Sequence, residues 1–267
     1  MQKILGRKKS NTNDKWQYAV DHIEELVTYA ELMGEVKKAV NEIREVTANK
    51  RVAFAWSGGK DSIVLADICK KAGVKKCVFG HTEVEYPAFL EWCFDHLPDN
   101  CDIINTAQNI DWLAQHPEMV FPDAKHQQKW YVIVQRTAFT EYFFKNKLDI
   151  LIVGHRLADG NVVGENGFMR KQSGEVRWSP LYKWSHELIL AYIHYFKLDI
   201  PPIYGWKDGY KCGTHPWPSR MGMESVEQGW REVYEIDPQI VAEAAQKIPS
   251  AREFLAKTRL TGNKESF

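Results

Sequence analysis

The stretch that most restricts the fold runs from Arg51 to Gly73: a short apolar run, RVAFAW, then Ser57-Gly58-Gly59, then Lys60 and DSIVLADICKKAG. The apolar run predicts a strand, and the residues after the glycines predict a helix stopped by Gly73. A strand that passes through a glycine turn into a helix is the first half of a strand–helix–strand unit, so the next strand should lie parallel to it. The alternation continues along the chain. KKCVFGHT (75–82), CDIINT (101–106) and LDILIVGHR (148–156) read as strands. YPAFLEWCFDHL reads as a helix with Pro87 in its first turn, and a long helix is expected from about Val132. The predicted class is α/β, a parallel twisted sheet of about five strands with helices on both faces.

Both flanks read as helical. Trp16, Val20, Ile23, Val27, Ala30, Met33, Val36, Val40 and Ile43 recur in steps of three or four, which predicts one or two N-terminal helices with a break at Gly34. Residues 157–178 turn polar and glycine-rich, as expected of a loop or small hairpin beside the sheet's C-terminal edge. A helix capped by Ser185 follows, then an irregular stretch after Pro201. Two helical patterns close the chain, around 225–234 and 238–256, the second opened by Asp237 and Pro238. The expected division is an N-terminal helical segment (1–49), the α/β domain (50–215) and a helical C-terminal extension (216–267).

Composition narrows the class of function. With 44% hydrophobic and 26% charged residues the chain can bury a core, which excludes wholesale disorder. Lys+Arg and Asp+Glu number 35 each, a balance that argues against a broad basic field for nucleic acid. No run approaches the roughly 18 apolar residues of a membrane span, and MQKILGRKKSNTNDK lacks the apolar stretch of a signal peptide. A cytoplasmic protein with no membrane partner is expected. The five cysteines, Cys69, Cys77, Cys93, Cys101 and Cys212, form no CxxC pair and suggest neither a disulfide framework nor a four-thiolate metal site.

The glycine turn carries the chemistry. Gly58 and Gly59 lack the Cβ atoms that would keep a backbone from closing round a phosphate, and the first amides of the following helix attract anions. Ser57 and Ser62 add hydroxyls and Lys60 a charge. The string is not a Walker A loop, because Asp61 follows the lysine, and it is not a GxGxxG fingerprint. A carboxylate beside a polyphosphate repels it unless a cation bridges them, so either Asp61 helps hold Mg²⁺ or it stabilises the helix N-terminus.

SGGKDS after a strand resembles the signature of the PP-loop ATP pyrophosphatases, a superfamily that includes the phosphoadenosine phosphosulfate (PAPS) reductases. HTEVEYPAFLEW (81–92) is similar to that branch's DTGxEFPET segment, with His81 and Glu83 in place of Asp and Gly. VGHRLADG (153–160) resembles its GxR turn, RWSPLYKWS (177–185) its PLxxW segment, and GYKCGTH (209–215) its GYxxIG turn. The resemblance covers residues 50–215 and implies an adenine nucleotide alpha-hydrolase-like fold. It implies ATP, or PAPS or adenylyl sulfate, as substrate with Mg²⁺, its anionic tail on residues 57–62 and its adenine near Ala55, Trp56, His81 and Thr82. Gly154 and Arg156 fall in the matching turn. Arg156 and Arg177 are expected to act with Lys60 and Asp61 in catalysis, and Arg170, Lys171, Arg177 and His215 to hold a second substrate.

Three functions stay open. In the first, a second substrate attacks the α-phosphorus of ATP and pyrophosphate leaves into the loop. The second is a thiol-dependent sulfonucleotide reductase. That family's ECGLH motif is absent from the C-terminus, and only Lys211-Cys212-Gly213-Thr214-His215 resembles it, which makes Cys212 the candidate nucleophile. The third is a non-catalytic nucleotide-binding subunit of an adenylation or sulfur-transfer assembly, which an exposed aromatic patch around Trp217 or Trp230 would favour. A homodimer through the N-terminal helices, with Trp16, Tyr18 and Tyr29 at its face, is a further expectation.

Overall fold

The computed structural model describes residues 1–219 and 225–262. Three N-terminal helices come first: α1 (Asn13–Asp21), α2 (Ile23–Leu26) and α3 (Tyr29–Thr47). The long helix begins at Thr28, not at a break in Gly34. Thr28 and Glu31 form a reciprocal capping box, and nothing crowds Gly34 within the helix. β1 (Val52–Trp56) then leads through the glycine turn into α4 (Lys60–Ala72), which ends on Gly73 in the left-handed conformation. β2 (Cys77–His81), α5 (Pro87–Asp95), β3 (Cys101–Asn105) and α6 (Ile110–Gln115) continue the expected alternation.

The next segment departs from a single regular helix. α7 (Ala124–Ile133) passes through a π-helical turn (Val134–Thr140) into α8 (Glu141–Lys145), and β4 (Ile150–Ile152) follows. The 157–178 stretch folds as a hairpin of β5 (Phe168–Arg170) and β6 (Val176–Trp178), so the sheet has six strands. Their order is β3-β2-β1-β4-β6-β5, all parallel except β5, which runs antiparallel to β6. After α9 (His186–Phe196) the short α10 (Gly209–Cys212) and the helices α11 (Val226–Ile236), α12 (Pro238–Ala244) and α13 (Pro249–Gly262) complete the chain.

Strand alternation divides the core. Phe54 and Trp56 of β1 point to the face covered by α4, α5 and α9, in a cluster that runs from Leu5 to Phe254. Ala53 and Ala55 point to the other face, where Val78, Leu151 and Val153 meet Ala138, Phe139, Tyr142 and Phe143. The approach there is close: a Cβ on Gly80 would stand 2.4 Å from that of Ala138. No helix among the described residues is long and apolar enough to cross a membrane.

Candidate functional site

From β1 the chain winds outward through β2 to β3, then returns to the other side of β1 for β4. The reversal opens a crevice at the carboxyl ends of β1 and β4, where ligands of such sheets bind. Ser57 to Gly59 flank it on one side and Gly154 to Arg156 on the other. Gly58 has φ 66°, and a Cβ there would lie 2.4 Å from Cys93 Sγ, so only glycine fits. The Ser57 amide and hydroxyl each donate to Ser62 Oγ at 3.1 Å, and the Ser62 hydroxyl donates to the Gly59 carbonyl at 2.9 Å. The Lys60 amide donates to the Tyr204 hydroxyl at 2.8 Å. Among the described residues the amides of Gly58, Gly59, Asp61 and Ser62 meet no acceptor. They stand at the positive end of a 13-residue helix.

In front of the loop lies a cleft of about 290 Å³ lined by Ser57, Glu85, Trp130, Phe139, His155 and Thr214, with His215 at its exposed edge. Glu85 accepts from the Thr82 amide and hydroxyl at 2.9 and 2.8 Å, yet burial holds its carboxyl above the usual range. Burial, with Arg177 and Lys171 nearby, pushes His155 down to about 4, so its ring is neutral.

Behind the loop the charges found in the sequence meet one another. Lys60 Nζ stands 2.9 and 2.8 Å from the two oxygens of Asp61. Arg156, 0% exposed, places Nη2 2.6 Å from Asp61 and 3.0 Å from Asp159, and donates from Nη1 to the Trp184 carbonyl at 3.0 Å. Burial disfavours the Asp61 charge, but Arg156 and Lys60 outweigh it and hold the carboxyl well below the usual range. His186 completes the cage. Burial first, then Lys60 and Arg156, push it down to about 2; its neutral ring accepts from Arg156 at Nδ1 and donates from Nε2 to the Ala158 carbonyl, each at 3.2 Å.

The structure thus ties Lys60, Asp61 and Arg156, expected to face a ligand, to one another. Asp61 does not fit as a ligand of resident Mg²⁺, because Lys60 and Arg156 already occupy both its oxygens. No group of three or more His, Cys, Asp or Glu side chains that could hold a metal exists among the described residues.

Of the residues expected to hold a second substrate, Arg177 and Lys171 come together on Glu175, His215 lies at the edge of the loop cleft and Arg170 stands apart. Arg177 belongs to a second buried group, donating from Nε to Glu175 Oε1 at 2.5 Å, while Glu175 also accepts from the Thr140 hydroxyl at 2.7 Å and lies 3.9 Å from Lys171. Arg170 is exposed at the end of β5.

Strand geometry keeps Ala55, Trp56, His81 and Thr82, the expected adenine contacts, out of the loop cleft. The Trp56 ring packs on Phe79 and Trp92 and lines a separate cleft of about 560 Å³ on the α4 and α5 face. Ala55 is buried on the opposite face, His81 is sandwiched with Phe79 and Phe94, and Thr82 is fully buried behind Glu85. Phe89, Trp130 and Phe139 are among the aromatic residues that line the loop cleft. Cys212 is 3% exposed within α10, whereas Thr214 and His215 of the same string line the cleft.

Trp217 and Trp230 form no exposed patch, since both are buried around Phe121, and a Cβ on Gly229 would stand 2.4 Å from that ring. Trp16 is buried too, stacked on Tyr210 and edge-on to His186, while Tyr18 and Tyr29 are exposed.

Sequence reasoning missed Glu85 and His155. Both lie inside segments already singled out, Glu85 three residues after Thr82 and His155 next to Arg156.

The chain matches the phosphoadenosine phosphosulfate reductase domain over residues 51–212. Among solved structures it resembles a phosphoadenylyl-sulfate (PAPS) reductase from Candida auris in a phosphate complex, at 12% identity and a TM-score of 0.50, over 73% of this chain and 92% of that one. At that identity the likeness is one of fold. An NH3-dependent NAD synthetase from Campylobacter jejuni matches at 17% identity and a TM-score of 0.45, over 82% of this chain and 93% of that one. An NMN synthetase from Francisella tularensis matches at 14% and 0.44, over 85% and 94%. No curated protein matches the chain.

Proposed function

We propose, from the premise that this chain belongs to the phosphoadenosine phosphosulfate reductase domain family, that it is an enzyme whose 57–62 loop binds the anionic tail of ATP or a related adenylyl anhydride. The observation that carries the reading is the set of amides on Gly58, Gly59, Asp61 and Ser62 with no acceptor among the described residues, at the carboxyl ends of parallel strands and beside a cleft. Cleavage between the α- and β-phosphorus is the reaction this arrangement serves best. A second substrate attacks the α-phosphorus, the bond to the bridging oxygen breaks, and its electron pair leaves with pyrophosphate. The amides then hold the charge that develops on the departing group. His155, neutral and lining the same cleft, is able to take the proton of the attacking group. No step is routed through Mg²⁺, which would arrive with the nucleotide's phosphates. The thiol-dependent alternative requires an accessible thiolate, and Cys212 is enclosed.

The test is calorimetric titration with ATP and with adenylyl sulfate, followed by assay of pyrophosphate release from ATP with candidate acceptors. Wild-type protein should bind, and Gly58→Ala should lose binding because its Cβ meets Cys93 Sγ. A wild-type protein that binds neither nucleotide overturns the reading. Thioredoxin-dependent sulfite release that disappears in Cys212→Ser would establish the reductase instead.

A further inference from the structure

A third cation stands against the charged cage, from a part of the chain outside the matched family domain. The turn Lys8–Ser10 packs against α10 and the 157–159 turn. The strap that carries it is built in: the Ile4 and Leu5 amides donate to one oxygen of the fully buried Glu187 at 2.9 and 2.7 Å, and the Leu5 side chain is in the core. The Gly6 amide donates to Asn11 Oδ1 at 2.9 Å. Lys8 Nζ stands 2.9 Å from the position a Gly213 Cβ would take, over the turn whose next residue, Thr214, reaches 3.0 Å from the Cβ position of Gly59. The Lys8 ammonium therefore sits over the turn whose Thr214 touches the glycine loop, within electrostatic reach of Lys60, Asp159 and Asp61.

Lys8 makes no hydrogen bond and no ion pair among the described residues. Burial, with Lys60 adding repulsion, holds it below the usual lysine range, while Asp159 and Asp61 act the other way. Lys8, Lys60 and Arg156 set three positive charges against the two carboxylates of Asp61 and Asp159, with His186 neutral. The cations exceed the carboxylates by one, and Lys8, half-buried, is the cation with no acceptor among the described residues, an arrangement that an incoming anion relieves.

We propose that Lys8 is a ligand-binding residue, its ammonium taking an oxygen of the terminal tetrahedral oxyanion, phosphate or sulfate, of the tail seated on the loop. The proposal rests on the reading of the loop as a nucleotide site. It makes the N-terminal strap part of that site and leaves Gly213 no room for a side chain.

The experiment is calorimetry on wild-type, Lys8→Ala and Lys8→Arg proteins with ATP, adenylyl sulfate and adenosine, alongside thermal unfolding without ligand. Lys8→Ala should weaken the ligand with the recognised tail roughly tenfold or more and leave adenosine unchanged. Lys8→Arg should recover most of the loss. The larger loss, with ATP or with adenylyl sulfate, identifies phosphate or sulfate as the group held. Wild-type affinity in Lys8→Ala, or an equal loss of adenosine affinity, overturns the role of Lys8 while leaving the loop reading intact. A wild-type protein that binds neither ATP nor adenylyl sulfate overturns both.

Discussion

The two sides of the Ser57–Ser62 loop are made of different materials. Behind it, Lys60, Asp61, Arg156 and Asp159 close on one another around the neutral ring of His186. In front, the loop shows unbonded amides, a serine, a neutral imidazole and aromatic walls. The charged residues that a sequence displays are thus taken up in holding the loop's shape, whereas the groups offered to a ligand are mostly uncharged dipoles. An amide fixed at a helix end needs no counter-charge and is oriented before the ligand arrives, so it binds an anion without the desolvation that a buried cation suffers.

Removing a member of each side tests this division. Arg156→Met leaves two carboxylates facing Lys60 without their shared guanidinium and should cost about 3–5 kcal/mol in urea unfolding. A loss no larger than that of a cleft-side substitution would break the comparison. The next effect is on pH. His155 in front and His186 behind are held at about 4 and about 2, below the 6.5 or so of an unfolded chain. Their contribution to stability is therefore complete above about pH 6.5 and declines as the pH falls, because the unfolded chain takes up the protons first. At pH 5 this amounts to on the order of 2 kcal/mol per ring, read from urea midpoints between pH 7.5 and 5. Replacing His186 with Gln should flatten that decline, and an unchanged slope would show that the cage does not hold the ring neutral. The smallest effect belongs to Ser57→Ala, which should alter stability by about 1 kcal/mol or less while weakening ATP binding several-fold in titration calorimetry. A stability loss as large as that of Arg156→Met would erase the distinction between the two sides.

What the sequence made legible follows its periodicities. The glycine turn, the parallel alternation and the terminal helices were readable because apolar residues recur at strand or helix spacing over many positions. β5 was not, since three residues paired only with β6 leave no period to detect. The π-helical turn was read as plain helix because its 7 residues add to the mixed periodicity around them. In the site, the motif identified the loop but not the direction of its side chains. Trp56 falls on the opposite face from Ala55 by strand alternation, and Arg156 turns inward because Asp61 and Asp159 are within its reach. Lys8 was illegible for another reason: in GRKKS nothing separates a half-buried lysine from its exposed neighbours.

The contact between Gly80 and Ala138 ties two distant stretches into a single hereditary unit. With the smallest side chain at 80 and the next smallest at 138, a methyl gained on the strand has room only if one is given up on the turn. A methyl gained at 80 while Ala138 keeps its own is blocked, whereas loss of the methyl at 138 first opens the way to it.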